Sequence, residues 1–426
     1  MSSFTQKIVR LLAAPAALWL AALAAPAARA DEAPCAPPPP PPCPCSDKPS
    51  WCEPPPEGCP CPTYCIPNPL VRVPCFDDCV DQFEKGKAAS CLKIGAGAYH
   101  WWNYHPKDGK FTYGYPGGGE GTYFYYFTGD VDLSHCASPC QPTFGGHVEL
   151  RARDDTVFRS FFDQKVWFYE AYAWADFHDW GKVKAGKVWK RFGLDWDGTF
   201  WGNVPYYDGF KLDPDYGVSW ENTWNKGKRV SIDTFAQYFA EEDRVNGSLA
   251  GADPESVRSF REQNTFVARA VPTYHIDSNT SVALGLSGLV GTVAHSSGTG
   301  SDETIDAYAA DLTVQWCGLK VFGEWMRADG ELNPAYYVTG GPTDKRTDWM
   351  AGAQYKIGPF TPRVVYSYGN YDNPGGHQSL FLAGGTVEIT QWLTLYVEYV
   401  NWDVKADGAS NVKYEDGWQF VLAWHF

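Results

Sequence analysis

The chain has 426 residues, 50 acidic and 35 basic, for a formal charge of −15. That balance argues against non-specific nucleic-acid binding, and a mean hydropathy of −0.35 excludes a bundle of membrane helices. Aromatic residues make up 16% of the chain and 42 residues are glycine, a texture of many strands and turns.

Residues 1–30 read as a secretory signal peptide. Lys7 and Arg10 form a basic start, 11–25 is apolar apart from Pro15, and Ala28-Arg29-Ala30 is a small-residue cleavage site. Residues 31–91 read as a Pro/Cys-rich periplasmic arm, holding ten of the 13 cysteines and the proline run 37–42. With almost no apolar periodicity it cannot bury a core, and its prolines make it stiff. In an oxidising compartment the cysteines are expected to cross-link, in a pairing the spacing leaves open. Cys-Pro-Cys at 43–45 and 59–61 keeps a soft-metal reading alive, but no histidine interleaves as in a zinc site and no haem-attachment motif occurs. No metal or cofactor is therefore expected. Cys136 and Cys140 are a separate disulfide candidate, and Cys317 stands alone.

From residue 92 the apolar period becomes two. In 417–426, Trp418, Phe420, Leu422, Trp424 and Phe426 alternate with smaller or polar residues. In 307–317, Tyr308, Ala310, Leu312, Val314 and Trp316 oppose Asp311, Thr313 and Gln315. Sixteen such segments are expected, near 92–102, 121–133, 144–153, 164–178, 181–190, 214–222, 227–240, 260–275, 279–293, 304–317, 318–329, 346–357, 360–371, 376–390, 392–405 and 412–426. Several reach the ~9–11 residues a tilted strand needs to cross a bilayer, and connections alternate between short and long, as in outer-membrane barrels. Backbone groups in lipid must all be paired, so the strands must close. The expected fold is all-β: a closed antiparallel transmembrane β-barrel over 92–426.

A terminal Phe426 with large apolar residues at every second position back to Trp418 resembles the last strand of assembled outer-membrane barrels. Glu170-Ala171-Tyr172-Ala173, the stretch 183–193 and the stretch 213–221 resemble a strand group of the phosphate-selective porin O and P family. The close match covers roughly 165–225 and the last strand; the rest agrees in pattern, and the Pro/Cys arm departs from the family. The resemblance implies a water-filled channel for passive diffusion of small hydrophilic solutes or ions, of anion or phosphate type. It also implies that 191–213 is a third loop folded into the pore. Two readings of that loop stand: an eyelet with Asp195, Asp197 and Asp208 facing a basic wall, or an outer loop packed through its aromatics on itself or on a neighbouring subunit.

Strand parity turns Arg151, Arg153, Lys182, Lys184, Arg269, Lys320, Lys356 and Arg363 toward the lumen. The same parity turns Glu149, Glu170, Asp176, Asp233, Asp311, Glu324, Glu388 and Glu398 inward. Equal numbers of each sign predict no strong selectivity, and wall charges of this kind commonly pair across strands. Lys187 and Arg191 fall on the outward register. The pore candidates are thus Lys182, Lys184, Asp195, Asp197, Asp208, Arg151, Arg153 and Glu170. The nine histidines are scattered, and no phosphate-binding loop, serine-hydrolase elbow or zinc-protease motif occurs, so no catalytic residue is expected. A secreted glycan-binding β protein and a barrel sheathing an electron-transfer partner are the alternatives. Expected partners are outer-membrane lipid, small hydrophilic solutes or ions, two further copies in a homo-trimer, and peptidoglycan or a periplasmic protein for the arm; nucleic acid is not among them. The expected location is the outer membrane of a Gram-negative bacterium.

Overall fold

The computed structural model describes residues 92–107, 109–113, 123–133, 142–153, 166–195, 197–207, 214–241, 260–295, 303–334, 342–373, 375–407 and 412–425. The signal peptide, the arm, Cys136, Cys140, Asp208 and Phe426 lie outside the described residues. Residues 1–88 and 133–143 separate as one unit, of which 133, 142 and 143 are described; the barrel is the other.

Seventeen strands follow in order: β1 (Leu92–His105), β2 (Lys110–Tyr113), β3 (Tyr123–Asp132), β4 (Thr143–Arg153), β5 (Val166–Asp176), β6 (Lys182–Trp189), β7 (Pro214–Trp224), β8 (Val230–Glu241) and β9 (Phe260–His275). They continue with β10 (Thr280–His295), β11 (Glu303–Trp316), β12 (Leu319–Pro334), β13 (Pro342–Tyr355), β14 (Phe360–Asp372), β15 (Gly376–Thr390), β16 (Leu393–Ala406) and β17 (Val412–His425). Sixteen of them form the barrel. Each pairs antiparallel with its neighbour, and β1 closes the ring by pairing with both β3 and β17, Gly97 opposite Tyr126 on one side and His425 on the other. Closure leaves no open edge, so every wall strand has a hydrogen-bonded neighbour on both sides.

All sixteen expected strands are present. The largest boundary differences are in β12, which runs on to Pro334, and β13, which begins at Pro342. There the hairpin continues past the alternating stretch after a register shift between Asp329 and Asn333. The strand that periodicity missed is β2, a four-residue return paired with the end of β1, Tyr104 opposite Phe111. It is too short for a period to show. Its one sequence signal is the glycine of the turn, Gly109, whose φ of 62° suits a hairpin bend.

The two faces are inverted relative to a water-soluble sandwich. Phe127, Leu284, Leu312, Val321, Trp325, Val364 and Trp418 are exposed on the outside, whereas Asp311, Glu324, Arg363, Glu398 and Gln419 are buried inside. Trp180, Trp316, Tyr355, Phe360 and Trp392 are exposed next to the tight turns. Farther up the same wall, exposed Tyr308 and Trp325 pack 5.6 Å apart, and Trp349 lies 5.2 Å from Tyr366. Tyr308 and Trp316 are eight residues apart on β11, which at ~3.3 Å per residue and a tilt of ~40° is about 20 Å along the barrel axis. Apolar side chains bounded by two aromatic belts at that separation match the hydrocarbon layer of a membrane.

Connections alternate as expected: β5–β6, β7–β8, β9–β10, β11–β12, β13–β14 and β15–β16 are joined by tight turns at one end. At Ile357–Phe360 the chain reverses through Gly358 with φ of 59°, a conformation glycine adopts without strain. In the turn before β10, Asp277 accepts the Asn279 N–H at 2.7 Å, which holds its carboxyl below the usual range.

Candidate functional site

The longest described connection does not stay outside. Residues 190–207, between β6 and β7, run into the barrel interior and lie against its wall. An irregular segment carries backbone N–H groups that regular structure would have satisfied. Here wall side chains supply the acceptors. The Arg191 N–H donates to Gln237 Oε1 at 2.6 Å, the Gly193 N–H to Ser287 Oγ at 3.1 Å, and the Leu194 N–H to Glu324. The Phe200 and Trp201 N–H groups donate to the two oxygens of Glu398 at 2.9 and 3.0 Å. The Val204 N–H donates to Ser367 Oγ at 3.0 Å. From the other direction, Arg363 donates to the Gly198 carbonyl oxygen. Gly198 has φ of +83°, a bend that glycine adopts without strain, and it lies beside the Arg363 guanidinium.

Apolar packing follows the same path. Phe192 is buried with Val267, Leu289 and Met326. Leu194, Trp201 and Val204 are buried with Phe322, Met350, Val365, Leu382 and Trp402. The apolar inward residues of β9 to β16 therefore sit under the loop rather than in open water. Phe200 reaches the seam strands, its ring 5.5 Å from those of Tyr99, Trp101 and Tyr396. The loop ends in α1 (Val204–Tyr207), against β13, β14 and β15.

The expected pore residues divide accordingly. Asp197 is buried and accepts from the Thr199 N–H, the Thr199 hydroxyl and Asn203 Nδ2 at 2.8, 2.7 and 3.0 Å. It folds the loop on itself instead of facing a basic wall. Asp195 is exposed and meets Arg191 of its own loop at 3.1 Å. Lys182 and Lys184 stand at the tight-turn end of β6; Lys182 Nζ lies 3.8 Å from Asp176 and Lys184 Nζ 2.9 Å from Glu221. Arg151 donates to Glu149 Oε1 at 2.5 Å, and its guanidinium lies 3.1 Å above the Tyr169 ring. Arg153 ends β4 opposite Phe124. Glu170 faces His147, 3.9 Å from its Nε2.

Other inward charges pair in the same way: Arg269 with Asp311 at 2.6 Å, Arg363 with Glu398 at 3.7 Å, and Lys356 with Glu388 at 3.0 Å. Lys187, which parity puts on the outward register, is buried, and its ammonium donates to the Phe168 carbonyl oxygen at 2.9 Å. Sequence reasoning missed Gln237, Ser287 and Ser367 as sockets for the loop. They carry no charge, and nothing in their spacing distinguishes them from other wall residues. It also missed the group His147, Glu149 and Glu170, whose ligand atoms all lie within 4.8 Å of one another. Two of them share one face of β4, but the third comes from β5, and only the sheet brings them together.

Solved structures with this architecture are known. The chain is similar to Salmonella typhi OmpF in complex with daunomycin, with a TM-score of 0.53 and 14% identity over 79% of this chain and 97% of that one. It is similar to the anion-selective porin from Comamonas acidovorans, with a TM-score of 0.50 and 12% identity over 79% and 99%. It is also similar to the outer-membrane protein OmpT of Vibrio cholerae in its trimer form, with a TM-score of 0.51 and 12% identity over 79% and 98%. The chain has the porin barrel fold. No family model and no curated protein matches it.

Proposed function

We propose that the chain is a passive outer-membrane channel for small hydrophilic solutes or ions. The observation that carries this reading is the loop at 190–207, bound by its backbone to the inner wall from β8 to β16. A loop held there narrows the lumen and leaves the passage against the opposite arc, β3 to β7. That arc presents Asp130, Glu149, Glu170, Lys184 and Glu221, all polar and partly accessible. Size filtering then follows from the width left beside the loop, and charge filtering from the arc. Wall cations bound to carboxylates make a weak filter, so the phosphate-selective reading needs unpaired cations that Lys184, Arg269 and Arg363 do not provide. Weak selectivity and general diffusion are the better-supported form. Placement in a Gram-negative outer membrane agrees with the barrel fold and its aromatic belts, and the similar OmpT of Vibrio cholerae, which has a trimer form, supports assembly as a trimer.

Deleting residues 196–206 and recording single channels in planar bilayers tests the reading. The shortened barrel should conduct more and pass larger solutes. Unchanged conductance and cut-off in a folded barrel would place the constriction elsewhere.

A further inference from the structure

We propose that His147, Glu149 and Glu170 form a lumenal binding site for a divalent transition-metal ion such as Zn²⁺. His147 and Glu149 are two residues apart on β4 and so share its inward face, and Glu170 projects from β5 beside them. His147 Nδ1 lies 2.6 Å from Asp130 Oδ1. A carboxylate accepts, so Nδ1 carries the proton and donates. This is the outer-shell arrangement that orients an imidazole for a metal on its other nitrogen.

That other nitrogen is the informative one. His147 Nε2 faces Glu170 Oε2 at 3.9 Å. In the neutral ring both atoms are acceptors, with no proton between them, and among the described residues Glu170 receives no hydrogen bond. Two acceptors converging at partial burial are satisfied by a water that donates to both, by the proton of an imidazolium, or by a bound metal. Glu149 has one oxygen on Arg151, which leaves the other for the site.

Charge favours the metal. The group holds three carboxylates, with Asp130 on His147, Glu149 on Arg151 and Glu170 on His147, against the one guanidinium of Arg151, an excess of two negative charges. The nearby Lys184 ammonium is held 2.9 Å from Glu221. A divalent ion neutralises that excess. One imidazole and two carboxylates suit Zn²⁺, with a fourth position left for water. Zinc ligands at ~2.1 Å lie about 3.4 Å apart in a tetrahedron. The present atoms, within 4.8 Å, reach that spacing by side-chain rotation. The Tyr172 ring, 5.2 Å from the imidazole, walls one side.

The test is zinc titration by calorimetry of the full chain, refolded in detergent, with every thiol blocked so that the cysteines contribute nothing. Binding is read directly, so the result stands whether or not the barrel conducts. The wild type should bind one equivalent that His147→Ala and Glu170→Gln lose. Asp130→Asn should weaken it about 10–100-fold, as for other outer-shell partners. His377→Gln, altering a histidine stacked on Tyr368 away from the group, should bind as the wild type does. Heat-modifiable gel mobility certifies each barrel as folded, and Glu170→Gln keeps the side-chain volume. Undiminished zinc binding in folded His147→Ala and Glu170→Gln overturns the proposal and leaves water or a proton between His147 and Glu170.

Discussion

Glu398 is the residue on which the inward loop depends most. Its carboxylate accepts two loop N–H groups and Gln419 Nε2, the last at 2.8 Å, and it lies 3.7 Å from Arg363, which itself donates to the loop. Each bond to a charged acceptor contributes about 1.5–3 kcal/mol. Replacing Glu398 by Ala removes these contacts and leaves Arg363 as a buried charge without this carboxylate, a loss of about 3–5 kcal/mol. The loop should then detach before the barrel does. Hydrogen exchange should quicken across 191–207 while the strands stay protected, and single-channel records should become noisier. A second residue-scale expectation concerns Lys182 and Lys184. Replacing both by Met frees Asp176 and Glu221 on the arc left open by the loop. Reversal potentials should shift toward cations, more at 0.1 M than at 1 M salt, because the screening length falls from ~10 to ~3 Å.

At the scale of one strand, the two faces of β11 have opposite solvents. Leu312 is exposed on the outer face midway between the belts, and Thr313 points inward. Arginine on the lipid face near the midplane costs about 2–4 kcal/mol. Leu312→Arg should therefore lower the stability of the barrel in liposomes by that amount in urea unfolding, whereas Thr313→Arg, one residue along, should cost under half as much. Equal costs at the two positions would contradict the assignment of faces. The loop is the complementary element. It has no regular structure to satisfy its backbone, so uncharged wall residues such as Gln237, Ser287 and Ser367 serve as its acceptors. Buried polar residues in this barrel are thus largely fittings for the loop and partners for one another.

For the molecule as a whole, closure is the cooperative step. β17 pairs with β16 and β1 together, placing Trp424 opposite both Leu393 and Ala98. Removing residues 418–426 would expose the edges of both neighbours in lipid, where unpaired backbone groups cost several kcal/mol each. The truncated chain should give no heat-modifiable folded band on refolding into vesicles. A folded band of wild-type mobility would show that the ring closes without its last strand.

How much of this was legible in the sequence divides along physical lines. Alternation along a strand is a local property. Each lipid-facing side chain must be apolar whatever its neighbours are, so Trp418, Phe420, Leu422 and Trp424, or Tyr308, Leu312 and Trp316, announce their face from the chain alone. Strand number, closure and the alternation of short and long connections were readable for that reason. A four-residue strand such as β2 carries no period and was not. Contacts across the lumen are non-local, and no spacing encodes them. The choice between a loop folded inward and one packed outside was open until Glu398, Arg363 and Ser367 were found on its backbone, 160 to 200 residues away along the chain. Asp197 looked like a filter carboxylate because composition does not say which way a loop side chain turns; tertiary packing turned it inward onto Thr199 and Asn203. Glu170 stood out in the sequence as an inward wall acid, but nothing there joined it to His147. The register of β4 and β5 puts them face to face, because a sheet makes neighbours of residues that the chain keeps apart.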